Sequence, residues 1–216
     1  MQSRSLSREL ALLMLGQVTD RGPLPTAADG HQDPLSDASL AGLLQQALAS
    51  LSEHVREALD LSADDLQQVQ QHLDDSEVVD RGEPTLSRAR NHLREGLGHA
   101  ERALNRLSAG LELPRLLVLA DQEAVRASAI ERARAVLQER ELLDRKLDGV
   151  MEGWRLSRLP RIDRDILRLA AVDLLRFGTP PAVACNEAVE LANRYSDEQG
   201  RRMINGVLRR FTSAAV

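Results

Sequence analysis

The chain has 216 residues, a formal net charge of −5 and one cysteine, enough for one sizeable core or two small ones and too little cysteine for an internal disulfide. No apolar run approaches the roughly 20 residues that a bilayer span needs. The N-terminal MQSRSLSRELALLMLGQ carries Glu9 and lacks a small-residue cleavage site, so a membrane protein and a signal peptide are both excluded and a reducing cytoplasm is the simplest compartment.

Period-two alternation is absent and Ala, Leu, Glu, Gln and Arg dominate, so the chain reads as all-α. A first helix is predicted over about 5–19, with Leu6, Leu10, Leu13 and Met14 at helical spacing. A Gly-, Pro- and Asp-rich stretch, DRGPLPTAADGHQDPLSD, follows as a linker. A second helix over about 39–59 repeats Leu40, Leu44, Ala47, Leu51, Val55 and Ala58, and a short acidic third covers about 63–74. The fourth begins after Pro84 and ends at Pro114; its Leu93, Leu97, Ala100, Leu104, Leu107 and Leu111 make a heptad seam, read as one side of a hairpin. A long fifth helix is predicted over about 121–154, a sixth over about 162–177 and a seventh over about 182–195. Ser196-Asp197-Glu198-Gln199 reads as a capping box for an eighth helix that ends near Thr212.

Charge is unevenly spread: residues 29–83 carry −11, whereas residues 154–216 carry +4. Such asymmetry suits a basic end that meets a phosphate backbone and an acidic middle that avoids one. Lys146 is the only lysine, so the cations are arginines. The aromatics are Trp154, Phe177, Tyr195 and Phe211, too few for an RNA reader built on an aromatic sheet.

Signs of catalysis are sparse. His92 and His99 are seven residues apart on one predicted helix, about 10 Å, too far to chelate one ion together. HExxH, Cys/His clusters and phosphate-binding glycine loops do not occur, so neither metal nor cofactor is expected and the chain is read as non-enzymatic. Cys185 has no histidine near it in sequence and reads as a small buried residue. Arginines remain: Arg4 and Arg8 share a face of the first helix, five lie at 155–168, and Arg194, Arg201, Arg202, Arg209 and Arg210 stud the last two helices. Ordinary surface charge, neutralised by Asp163, Asp165, Asp173, Glu187 and Glu190, competes with a specific patch. Asn205 and Gly206 flank the apolar stripe of the eighth helix and read as packing devices, Gly206 allowing close backbone approach; Asn186 falls beyond the stripe of the seventh.

Trp154 with Arg158-Leu159-Pro160, the helix IDRDILRLAAVDLL, then NEAVELANRYSDEQGRRMINGVL, resembles the NusB family of bacterial transcription antitermination factors. SRELALLML resembles that family's first helix. The resemblance covers about 3–19 and 140–212. It implies two small helical bundles with a further inserted helical region: residues 1–20 as the first helix, 30–118 as the insertion, acidic in its first part, and 119–216 as the remainder. It implies binding of boxA-type RNA in ribosomal RNA leader transcripts, together with the small-subunit ribosomal protein that acts as NusE, and action on RNA polymerase. By the same resemblance the RNA contacts fall on Arg4 and Arg8, and on Arg176, Gly178, Thr179, Ala182 and Asn186. The family carries an aromatic-basic pair before V-A-I-N-E, where this chain has Pro181-Ala182. One stacked aromatic contributes about 1–3 kcal/mol, so weak intrinsic RNA affinity that depends on the partner protein is expected. A helical interaction scaffold that has lost RNA binding is the alternative, a detached RNA-binding domain of a methyltransferase stays open, and the Leu93–Leu111 seam leaves a homodimer open.

Overall fold

The computed structural model describes residues 2–18, 35–77, 85–111 and 113–214. Eight α-helices and one short 3-10 turn appear among them: α1 (Gln2–Gln17), α2 (Asp37–Glu77), α3 (Thr85–Leu111), α4 (Leu113–Ala120), α5 (Glu123–Asp148), the turn Leu156–Arg158, α6 (Arg161–Leu175), α7 (Pro181–Tyr195) and α8 (Glu198–Ala214). No strand occurs among the described residues. The chain divides into two units, Met1–Ala49 with Val118–Val216, and Ser50–Leu117.

In the first unit α1 packs against α5, α6 and α7, and α6 against α5, α7 and α8. Every residue of α1 from Leu6 to Leu15 is buried. The sequence predicts one apolar stripe there, yet LALLML is apolar all round, and such a helix is stable only when covered on every side. Its C-terminal carbonyls are covered too: Arg161 donates to the carbonyl of Leu15 at 2.6 Å and to that of Val18. Residues 37–49 of α2 belong to this unit, although the expected insertion begins near residue 30.

Several boundaries differ from expectation. The predicted second and third helices are one, because Ser62 is not a breaker: its hydroxyl donates to the Ala58 carbonyl at 2.7 Å and the helix runs on. Pro114 does not end α3; it sits in the first turn of α4, where a missing N–H costs nothing. The fifth helix stops at Asp148 rather than near Trp154, since Gly149 closes it and Gly153 takes φ +73°. Asp148 then accepts the Leu156 N–H at 2.7 Å, starting the turn into α6. At α8 the cap is Asp197, which accepts the Gly200 N–H at 2.7 Å, while Ser196 donates to Asp163 at 2.6 Å instead of capping.

The second unit is a helical hairpin, as expected, but α3 presents a different face. Leu51, Val55, Ala58, Ser62, Asp65, Val69 and His72 of α2 repeat every three and four residues and are buried or half-buried. The matching stripe of α3 is His92, Gly96, His99, Ala103, Arg106 and Gly110. Asp65 accepts from His99 at 2.6 Å and from Arg106, and a Cβ on Gly110 would lie 3.3 Å from Leu59. The predicted seam residues Leu97, Leu104 and Leu111 are 71%, 67% and 81% exposed.

Candidate nucleic-acid interface

The residues that the resemblance assigns to RNA lie on α1, on the α6–α7 loop and on the first turns of α7. Charge burial organises this region. Arg8 is only 4% exposed. Its Nε donates to Asp173, its Nη1 donates to the Arg4 carbonyl at 3.1 Å, and Glu187 stands 3.9 Å away. The other oxygen of Asp173 accepts from Arg132 Nε at 2.9 Å. Arg132 also donates to Ser128 and lies 4.6 Å over the Phe177 ring. One carboxylate on α6 thus gathers guanidiniums from α1 and α5, and the cation of α5 steadies the aromatic that opens the α6–α7 loop.

The loop is fixed by its backbone. Gly178 takes φ +58°, a left-handed conformation that costs other residues about 1–2 kcal/mol. That turn lets the Thr179 N–H reach back to the Asp173 carbonyl at 2.9 Å. Pro181 then occupies the first position of α7, where its fixed φ suits a helix start. Ser5 donates to Glu187 at 2.9 Å, so the first turn of α1 rests on α7. A second buried carboxylate ties the other side: Glu9 accepts from Arg194 at 2.6 Å and from the Tyr195 hydroxyl at 2.8 Å. Burial, then the Glu9 carboxylate, pushes the Tyr195 hydroxyl well above the ordinary tyrosine range.

The predicted site residues therefore separate by role. Arg4, Ala182 and Asn186 are exposed, and Arg4 makes no ion pair among the described residues. Arg176 is exposed and pairs with Glu139 at 2.8 Å. Gly178 and Thr179 shape the loop through their backbones. Arg8 is consumed inside the fold and presents no free guanidinium to a ligand. Sequence spacing placed Arg4 and Arg8 on one face; the face is correct, but from the second turn onward it is covered by α6 and α7. Gly206 needs a correction as well: a Cβ there would meet nothing within 4 Å, so it gives no close backbone approach. Asn205 is half-exposed and makes no side-chain hydrogen bond among the described residues.

Gly206 lines instead a groove of about 560 Å³ with Trp154, Arg158, Met203 and Arg210. Trp154 is 59% exposed there. The sequence signal for this groove was the single tryptophan beside Arg155 and Arg158. Many other arginines are internal ties: Arg168 grips Asp144 with two bonds of 2.7 and 2.8 Å and Asp165 with a third of 2.9 Å. Burial pushes the Cys185 thiol up while Arg209 pulls it down, and the net shift is upward, away from a reactive thiolate.

These features define an all-helical protein among the described residues, its buried ions spent on holding helices and its exposed arginine beside a helix start. A model of the NusB family matches residues 87–213. The transcription antitermination protein NusB of Synechococcus elongatus is 45% identical over 213 residues, 99% of this chain and 94% of that protein. The one from Gloeobacter violaceus is 42% identical over 211 residues, 97% and 94% of the two chains. A solved structure of T. maritima NusB is 22% identical, covering 72% of this chain and 90% of that one with a TM-score of 0.42. The chain belongs to the NusB family.

Proposed function

We propose that this protein is a transcription antitermination factor that binds boxA-type RNA of ribosomal RNA leaders together with the small-subunit ribosomal protein acting as NusE, and that the pair acts on RNA polymerase. Its near full-length likeness to antitermination proteins supports this reading. The observation that carries the RNA side is the edge where exposed Arg4 stands on a turn of α1 seated on α7, next to the exposed start of α7. Arg4, Arg176, Gly178, Thr179, Ala182 and Asn186 form that edge, and Arg8 acts behind it by holding Asp173. The edge carries few cations and no exposed aromatic, so affinity rests on the partner protein as much as on this chain. The role is non-enzymatic, and it is exercised in the cytoplasm, where transcripts and ribosomal proteins meet. No helix among the described residues is long and apolar enough to cross a membrane.

Fluorescence anisotropy with labelled boxA RNA tests the edge. Arg4→Ala is expected to weaken binding severalfold at unchanged thermal stability, whereas Arg8→Gln lowers stability first.

The second unit supports self-association. Leu97, Leu104 and Leu111 of α3 and Leu59, Leu66 and Leu73 of α2 are exposed. α2 carries nine acidic residues against one arginine, and α3 five arginines against two glutamates. A two-fold axis parallel to the helices sets each α2 against the partner's α3, joining leucines to leucines and acid to base. A second copy of this chain is therefore the occupant of that face.

A further inference from the structure

The α2–α3 hairpin carries a cluster that the RNA reading leaves unused. His72 of α2 and His92 and Glu95 of α3 each offer one ligand atom, and the three atoms lie within 4.8 Å of one another. His72 Nδ1 is 3.3 Å from His92 Nδ1 and 3.5 Å from Glu95 Oε2. The sequence excludes chelation by His92 and His99 on one helix, and that distance argument stands; the second imidazole comes instead from the facing helix.

We propose that His72, His92 and Glu95 form a binding site for a borderline divalent transition-metal ion, zinc being the natural occupant. Bonds of about 2.0–2.2 Å at tetrahedral angles place neighbouring ligand atoms about 3.3–3.5 Å apart. Two of the three edges already have that length. The third closes by movement of Glu95, whose side chain is 62% exposed. Two imidazoles and a carboxylate suit zinc and its neighbours in the first transition row, and leave a fourth position for water.

Proton sharing alone serves these atoms poorly. Glu95 is an acceptor and the two Nδ1 atoms face each other: an N–H on His72 would have to serve both neighbours, and an N–H on His92 alone would set the bare His72 nitrogen against the Glu95 carboxylate. A cation satisfies all three lone pairs together. Next along the seam, His99 is already turned toward Asp65 at 2.6 Å, with its ring 5.5 Å from that of His72. The ion would staple α2 to α3 where the seam between them is polar and Leu73, Leu93 and Leu97 are exposed.

The test uses the full chain, freed of metal by chelator and titrated with Co(II) and Zn(II). One Co(II) per chain is expected, with the strong visible absorption of a four-coordinate site and no thiolate charge-transfer band, and Zn(II) should raise the thermal midpoint. His72→Gln and His92→Gln should each weaken binding by about 10–100-fold, a loss that even outer-shell changes bring. Glu95→Gln keeps the test independent of folding, because that side chain is mostly exposed: it should weaken binding while leaving the metal-free midpoint unchanged. His54→Gln, at an exposed histidine of α2 outside the cluster, should bind as the parent does. No Co(II) absorption, equal binding by the ligand variants, or a signal that disappears in Cys185→Ser would overturn the site.

Discussion

Asp173 holds two guanidiniums from different helices at 2% side-chain exposure. Breaking a buried ion pair from one side strands the other charge and costs about 3–5 kcal/mol. Asp173→Asn is therefore expected to lower the thermal midpoint by many degrees and to loosen the α6–α7 loop, as read by thermal unfolding and by amide exchange at Thr179. Tyr195→Phe removes one of two donors to buried Glu9 and should cost about 1–3 kcal/mol in denaturant unfolding. Gly200 is a steric requirement: a Cβ there would lie 2.1 Å from Ser196 Oγ and 2.9 Å from Asp163. Gly200→Ala should destabilise by about 1–3 kcal/mol, and Ser196→Ala, which removes the nearer atom, should restore part of the loss.

At the scale of the element, α3 shows what periodicity could and could not tell. Two stripes of identical spacing run along it one residue apart, one of leucines and one of His92, Gly96, His99, Ala103, Arg106 and Gly110. The leucine stripe is the obvious choice for a core. The other wins because its polar groups meet partners on α2: Asp65 takes His99 and Arg106, and His72 meets His92. Such complementarity joins residues twenty or more positions apart and leaves no mark in local spacing. The same reason hid the burial of Arg8, whose partner Asp173 is 165 residues away. What periodicity did reveal was helix number and order from α5 to α8, because Pro160, Gly178 and the capping Asp197 punctuate the chain locally. A pH test belongs here too. The His99 hydrogen bond, helped by Arg106 and Arg102, holds the Asp65 carboxyl below its ordinary value of 3.8. That contribution is fully present above about pH 4 and is lost as pH falls through the lowered value. Hairpin helicity followed by amide exchange should weaken only in that acid range, and Asp65→Asn should flatten the dependence.

Across the whole molecule, charge and apolar surface are divided between the two units. The first buries its ions to fix the edge proposed for RNA, and the second exposes leucines beside helices of opposite charge. Light scattering behind gel filtration should find a dimer that Leu97→Glu with Leu104→Glu converts to monomer at unchanged helicity. The central claim, a family antitermination factor whose RNA edge depends on its protein partner, is tested most directly by boxA RNA affinity measured with and without the ribosomal partner at one fixed salt concentration. Weak binding alone, at least about tenfold tighter binding with the partner, and a loss on Arg4→Ala in both conditions are predicted, a tenfold change corresponding to about 1.4 kcal/mol. Tight binding by the isolated protein that ignores Arg4, or no binding with the partner present, would contradict it.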